Sequence, residues 1–363
     1  MRDILSEIET WTRQGKPVGL AAVVQTWGSS PRGVGARMAF TAEGEISGSV
    51  SGGCVEGAVL GVGLKMLKGG SPRLLHFDVA DETAWEVGLT CGGSLDVFVS
   101  RLDEQLLPSL QDALAGSEPL AMITVIAGPE AMLGRTLLQT ADGRTAGKLG
   151  KELDTRAAEF ASEGIESLEP GRLALTEGVE LLRDVFLPQP SLIIVGGVHV
   201  AVALAALART VGWQTVLIDP RKAWGSRGRF ADVDQLLQVW PEEALQQLAL
   251  NRSSAVVTLT HDPKLDDAAL LVALRSRAFY VGALGSASSN EKRRKRLLLA
   301  GLNEKEIARL HAPVGLRIGA QTPEEIALAI MAEITSEYRR QGKSPDMPAT
   351  QVHVPNISPS MPS

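Results

Sequence analysis

The chain has 363 residues, more than one ordinary compact core holds, and at roughly 150 residues per domain it implies two domains or slightly more. Hydrophobic residues make up 44% and charged residues 21%, which excludes a fibrous or largely disordered protein. The formal charge of −6 argues against general electrostatic capture of nucleic acid or of an anionic membrane, so neither is expected as a partner.

In chain order, the stretch from Met1 to Trp11 is acidic and amphipathic and does not read as a signal peptide. Only two cysteines occur, Cys54 and Cys91, so no disulfide framework holds the fold and a reducing cytoplasm is the expected compartment. A repeat follows. Gly35 to Gly48 aligns without a gap with Gly134 to Gly147, matching three glycines and the Thr-Ala pairs Thr41-Ala42 and Thr140-Ala141. Asp96-Val-Phe-Val99 echoes Asp184-Val-Phe-Leu187 at a shorter spacing. Residues 18–102 and 120–188 are therefore read as related β-rich units within an N-terminal α+β domain spanning 1–188. Each has a hairpin closed by Glu43-Gly44 or Asp142-Gly143, where glycine supplies the positive φ of a tight turn.

Beyond Pro188 and Pro190 the pattern changes. Apolar strands at Leu192–Val195, Thr215–Ile218, Ala255–Leu259 and Phe279–Gly282 alternate with helical spacing, predicting a Rossmann-like parallel-sheet domain over 190–340. The apolar run from Leu192 to Ala208 falls just short of the roughly 18 residues of a membrane span and contains Gly196, Gly197 and His199, which excludes a span. Thr322-Pro323-Glu324-Glu325 opens a last helix. The proline-rich segment 341–363 reads as a disordered tail.

Candidate chemistry concentrates in the first repeat, at Ser30, Arg32, Gly52, Gly53, Cys54, Glu56, Cys91, Gly92 and Gly93. Glycine pairs let backbone N–H groups converge on an anion, and an arginine adds planar donors. Cys54 stands where a helix begins, and a thiol at a helix N-terminus is favoured as thiolate, the state that binds metal or sulfur. In the second repeat Leu153 and Val179 take the cysteine places and no glycine pair accompanies them. Burial as small core residues is the competing explanation for both cysteines.

In the Rossmann part, Gly196-Gly197-Val198-His199-Val200-Ala201 occupies the phosphate turn, but Val198 crowds the backbone where a dinucleotide pyrophosphate approaches. Asp219 stands where a ribose-binding acid belongs, or is an ordinary strand-end turn before Pro220. His199, His261, Gly285 and Ser286 are expected at the same sheet edge. Lys292 to Arg296 is five successive cations, read as a solvated helix.

With these motifs the chain resembles the XdhC/CoxI family, accessory factors for molybdenum hydroxylases such as xanthine dehydrogenase and carbon monoxide dehydrogenase. The resemblance rests on Gly28–Arg32, Ser51–Gly57, Cys91–Gly93, the strand-turn-helix at 192–208, Thr260–Asp262, Tyr280–Ser286, His311–Gly319 and Thr322–Ile326, and runs from about Leu5 to Tyr338. It implies a chaperone that binds the molybdenum cofactor, a molybdopterin. The chaperone holds the cofactor while a cysteine desulfurase supplies its terminal sulfur, then hands it to the apo-hydroxylase without needing turnover of its own. The family's glycine-flanked cysteines fall on Cys54 and Cys91, read as molybdenum or sulfur contacts. A homo-oligomer is expected. The alternatives are an NAD(P)-dependent oxidoreductase built on the Rossmann part and a thiol redox protein using the two cysteines.

Overall fold

The computed structural model describes residues 1–28, 30, 32–78, 93–175 and 178–341, so Cys91, Gly92 and the tail beyond Gln341 lie outside the described residues. Helix α1 (Arg2–Arg13) buries Ile4, Ile8 and Trp11, the stripe its amphipathic sequence sets out. The first repeat follows as β1 (Val18–Trp27), β2 (Arg37–Thr41), β3 (Ile46–Gly48), α2 (Glu56–Leu67), β4 (Arg73–Phe77) and β5 (Ser94–Arg101). After α3 (Leu107–Ala115), the second repeat comprises β6 (Leu120–Ala127), β7 (Thr136–Thr140), β8 (Thr145–Gly147), α4 (Lys151–Ser167), β9 (Gly171–Ala174) and β10 (Glu180–Phe186).

The two units fold alike. Their five-stranded sheets run β3-β2-β1-β5-β4 and β8-β7-β6-β10-β9. The matched glycines share backbone geometry, with φ of 85° and 78° at Gly35 and Gly134, 85° and 83° at Gly44 and Gly143, and 78° and 85° at Gly48 and Gly147. Each sheet has a bulge at the corresponding place, skipping Val24 in the β1–β5 ladder and Ile126 in the β6–β10 ladder. That register corrects one detail of the sequence repeat. Asp96 lies opposite Gln25 and Glu180 opposite Ala127, so the counterpart of Asp96 is Glu180 rather than Asp184.

Alternation along the strands gives each sheet two apolar faces. Ala21, Val23, Val97 and Val99 pack against Val59 and Met66 of α2, and Ile123, Val125 and Leu181 pack against Ala157, Phe160 and Ala161 of α4. On the opposite faces Val24, Phe98, Ile126 and Leu182 meet in one buried cluster between the units. These are two pairs of equivalent residues, so a pseudo-two-fold axis passes through the cluster. Arg37 of the first unit and Asp184 of the second form a buried ion pair beside it.

The third sheet is parallel, six-stranded and ordered β13-β12-β11-β14-β15-β16. Its strands are β11 (Ser191–Val195), β12 (Gln214–Ile218), β13 (Gln235–Leu237), β14 (Ser254–Thr258), β15 (Tyr280–Ala283) and β16 (Leu310–His311). Helices α5 (His199–Thr210), α6 (Pro241–Gln247), α7 (Pro263–Ala273), α8 (Ala287–Leu299), α9 (Glu304–Ile307) and α10 (Pro323–Arg340) complete it. Leu192, Ile194 and Val257 face α5 and α10, while Ile193, Val195 and Val256 face α6, α7 and α8. Continuous apolar strands are what a sheet covered on both faces requires. Thr322 and Glu325 close a capping box at the start of α10.

Two polar contacts fix how the parallel sheet meets the second repeat. Arg252 Nη1 donates to the Glu166 carbonyl at 3.0 Å, and Arg277 pairs with Glu118 at 3.0 Å. Both arginines precede the strands β14 and β15, so this junction lies at the amino edge of the sheet.

Candidate functional site

The loop before α2 is organised by the first residue of that helix. Glu56 Oε1 accepts from Ser49 Oγ at 2.6 Å and from the amides of Val50, Ser51 and Gly52 at 3.1, 2.9 and 3.1 Å. Its Oε2 accepts from Ser51 Oγ at 2.6 Å and from the Gly53 amide at 3.0 Å. Ser51 Oγ in turn accepts from the amides of Cys54 and Val55, both at 3.0 Å. Gly52 and Gly53, with φ of 86° and 122°, let the chain wrap around the carboxylate. Burial opposes ionisation of Glu56, but hydrogen bonds from Ser49 and Ser51 outweigh it and hold the carboxyl at about 2. The loop does build an anion nest, and the correction to the sequence reading is its occupant: the amides serve Glu56 rather than standing free for a ligand.

Cys54 is half-buried and packs on the first repeat's core. Leu153 packs in the same way on the second. Gly93 is buried just before β5, while Cys91 and Gly92 lie outside the described residues, so the meeting of the two thiols expected from the sequence does too. Ser30 Oγ donates to the Arg32 carbonyl at 2.8 Å, and Arg32 Nη2 lies 3.8 Å from Asp3 on α1. Among the described residues no hydrogen bond or ion pair joins Arg32 to the Glu56 loop.

A cleft between the repeats is lined by Gln25, Trp27, Asp96, Arg172 and Glu180, and His76 adjoins it through its contacts to Asp96 and Trp27. His76 Nδ1 donates to Asp96 Oδ1 at 2.7 Å. Arg172, from the second repeat, donates through Nη1 to Asp96 Oδ2 at 3.3 Å and to Gln25 Oε1 at 2.5 Å. Its Nε and Nη2 grip Glu180 at 2.5 and 2.8 Å, and those bonds strengthen its hold on its proton. Trp27 stands edge-on to His76 with ring centroids 5.9 Å apart. No single-strand pattern reveals this cluster, because only the β4–β5 register sets His76 opposite Asp96.

At the carboxyl edge of the parallel sheet, β11, β12, β14 and β15 end side by side, which brings Gly196, Asp219, His261 and Gly285 to one edge. The dinucleotide turn there is filled by the protein itself. A Cβ on Gly196 would lie 2.2 Å from Thr260 Cγ2, and one on Gly197 would lie 2.4 Å from the Trp224 carbonyl oxygen. Asp219 Oδ2 accepts from the Gly197 amide at 2.8 Å and from Arg221 Nη2 at 2.7 Å, while Oδ1 accepts from Arg221 Nε at 2.9 Å. Burial works against ionisation of Asp219, yet these donors hold its carboxyl below the usual range. Its carboxylate thus ties the turn together where a ribose hydroxyl would otherwise find an acceptor. His199 and His261 are exposed, and Ser286 caps α8 by accepting from the Ser289 amide at 3.2 Å.

Of the run of cations on α8, Lys292 and Lys295 are exposed, in line with the solvated helix expected, and Arg293 departs from it. Arg293 is buried, pairs with Asp266 at 3.1 Å and donates to the Leu284 carbonyl. Burial pushes the Asp266 carboxyl up to about 6. Arg296 is paired with Asp267 at 2.5 Å.

Comparison with known proteins follows this division of the chain. Residues 11–78 match the XdhC and CoxI family and residues 192–334 match the XdhC Rossmann domain. The chain is 27% identical over 326 residues to a Bacillus subtilis protein named as a probable subunit of xanthine dehydrogenase, covering 88% of this chain and 93% of that protein. It is 25% identical over 336 residues to the molybdenum cofactor insertion chaperone PaoD of Escherichia coli, covering 92% and 87% respectively. A crystal structure described as a xanthine dehydrogenase from Bacillus halodurans superposes with a TM-score of 0.71 at 25% identity, over 94% of this chain and 98% of that one. No helix among the described residues is long and apolar enough to cross a membrane. With both halves matched and the architecture shared along nearly the whole chain, the protein belongs to the XdhC/CoxI family.

Proposed function

We propose that this protein is an accessory factor that binds the molybdenum cofactor as cargo, supports its sulfuration by a cysteine desulfurase, and delivers it to an apo-hydroxylase of the xanthine dehydrogenase type. The observation that carries this reading is the similarity, over 92% of the chain, to a protein named as a molybdenum cofactor insertion chaperone. The donor set of the first repeat fits such cargo: a thiol at Cys54, an imidazole at His76 and hydroxyl and amide donors at Ser30 and Gln25 suit a sulfur-ligated metal and a hydrogen-bonding pterin. Cys54 and Cys91 are the proposed sulfur or molybdenum contacts. The competing dehydrogenase reading is disfavoured by the Trp224 carbonyl lying against Gly197 and by the internal use of Asp219.

The test is to purify the chain from cells that make the cofactor and to assay bound molybdenum and pterin. Stoichiometric content in the wild type is expected, with loss in Cys54→Ala or Cys91→Ala at an unchanged melting temperature. A cofactor-free wild type, or both single variants activating the client enzyme like the wild type, would overturn the proposal.

A further inference from the structure

The cleft between the repeats remains unused by the loop at Glu56 and by the Rossmann edge. We infer that it is a binding site for a planar nitrogen heterocycle with a hydrogen-bond-donor edge, with Nε2 of the adjoining His76 accepting from an amino group on that edge and the Trp27 indole packing against the ring. The name of that heterocycle, the pterin of the molybdenum cofactor, rests on the function proposed above, whereas the site rests on its geometry.

Asp96 is 7% exposed and accepts from Nδ1 of His76, which fixes the ring and turns Nε2 away from Asp96; in the Nδ1–H tautomer that this bond selects, Nε2 is the acceptor. Trp27 beside it is 42% exposed. Its indole offers a flat apolar face on which a planar ring can stack. The charges select the ligand's edge. Asp96 and Glu180 set two carboxylates against the single guanidinium of Arg172, and that excess of negative charge favours a ligand's donor edge over an anion.

The second repeat supplies an internal comparison. Ala174 stands opposite Glu180 as His76 stands opposite Asp96. Continuing the same register, Pro129 takes the place of Trp27. The duplicated scaffold therefore folds without either ring, and folding does not account for their presence in the first repeat.

The experiment uses the full chain and free pterin as probe, with lumazine, in which a carbonyl replaces the 2-amino donor, as comparator. Calorimetry is expected to show pterin bound about tenfold more tightly than lumazine, and His76→Ala and Trp27→Ala each weakening pterin by about tenfold without shifting the melting temperature. Absence of pterin binding by the wild type, or binding indifferent to both substitutions, would overturn the site. Molybdenum and pterin copurifying with His76→Ala as with wild type would also overturn it while leaving the chaperone reading standing. Pterin binding that depends on His76, in a chain that copurifies no molybdenum, would support the site and defeat that reading.

Discussion

Glu56 and Arg293 are charged side chains whose partners lie within the fold, and each makes a measurable prediction. Glu56 is held at about 2 in the folded protein, against roughly 4.3 in an unfolded chain. A depressed acid contributes stability that is fully present above the unfolded value and is lost as pH falls through the folded one. Glu56→Gln is therefore expected to lower the melting temperature at neutral pH and to narrow its gap to wild type as the solution is acidified from about pH 5 towards pH 2. A gap that stays constant across that range would refute the assignment. Arg293→Met leaves Asp266 buried beside an apolar side chain and is expected to cost about 3–5 kcal/mol, with Asp266→Leu/Arg293→Met costing less than the single change. Chemical denaturation of the wild type and the two variants is the check, and a double variant less stable than Arg293→Met would contradict it.

At the level of elements, matched glycines end equivalent hairpins and strands for different reasons. Gly44 and Gly143 have open space where a Cβ would stand, so alanine there meets only the cost of positive φ, about 1 kcal/mol. At Gly48 and Gly147 a Cβ would also lie 2.4 and 2.3 Å from the carbonyl oxygens of Arg37 and Thr136. Gly48→Ala and Gly147→Ala are thus expected to lower the urea midpoint further than Gly44→Ala and Gly143→Ala, and equal midpoints would show that the close approach relaxes freely. These glycines were legible because their need is local, as were the apolar strands β11, β12, β14 and β15. Helix α4 was not, since it buries mostly small residues, Ala157, Ala161 and Gly164, around one Phe160 and so shows no strong apolar period. Helix α8 buries Asn290, Arg293 and Leu297 at helical spacing, but two of these are held by hydrogen bonds that composition does not disclose. The His76–Asp96 pair depends on a register set across a long connection, so neither strand announces it alone.

Across the whole molecule, the junction with the second repeat occupies the amino edge of the parallel sheet and the filled dinucleotide turn lies at the other edge. Asp219→Asn is expected to leave bound molybdenum and pterin at wild-type content, and a selective loss of cofactor in a stably folded variant would show that the two regions act as one site. Calorimetry with NAD and NADP is expected to show no micromolar binding, because the approach to Gly197 is covered by the Trp224 backbone. The buried cluster of Val24, Phe98, Ile126 and Leu182 has a consequence for how such a molecule could arise. A lone ancestral unit would have met a copy of itself across that axis, and in a homodimer every substitution appears twice. Fusion of the copies into one polypeptide removes that constraint. Symmetry can then break one residue at a time, so that one half keeps a histidine and an indole for chemistry while its twin lends an arginine and is otherwise free to become architecture.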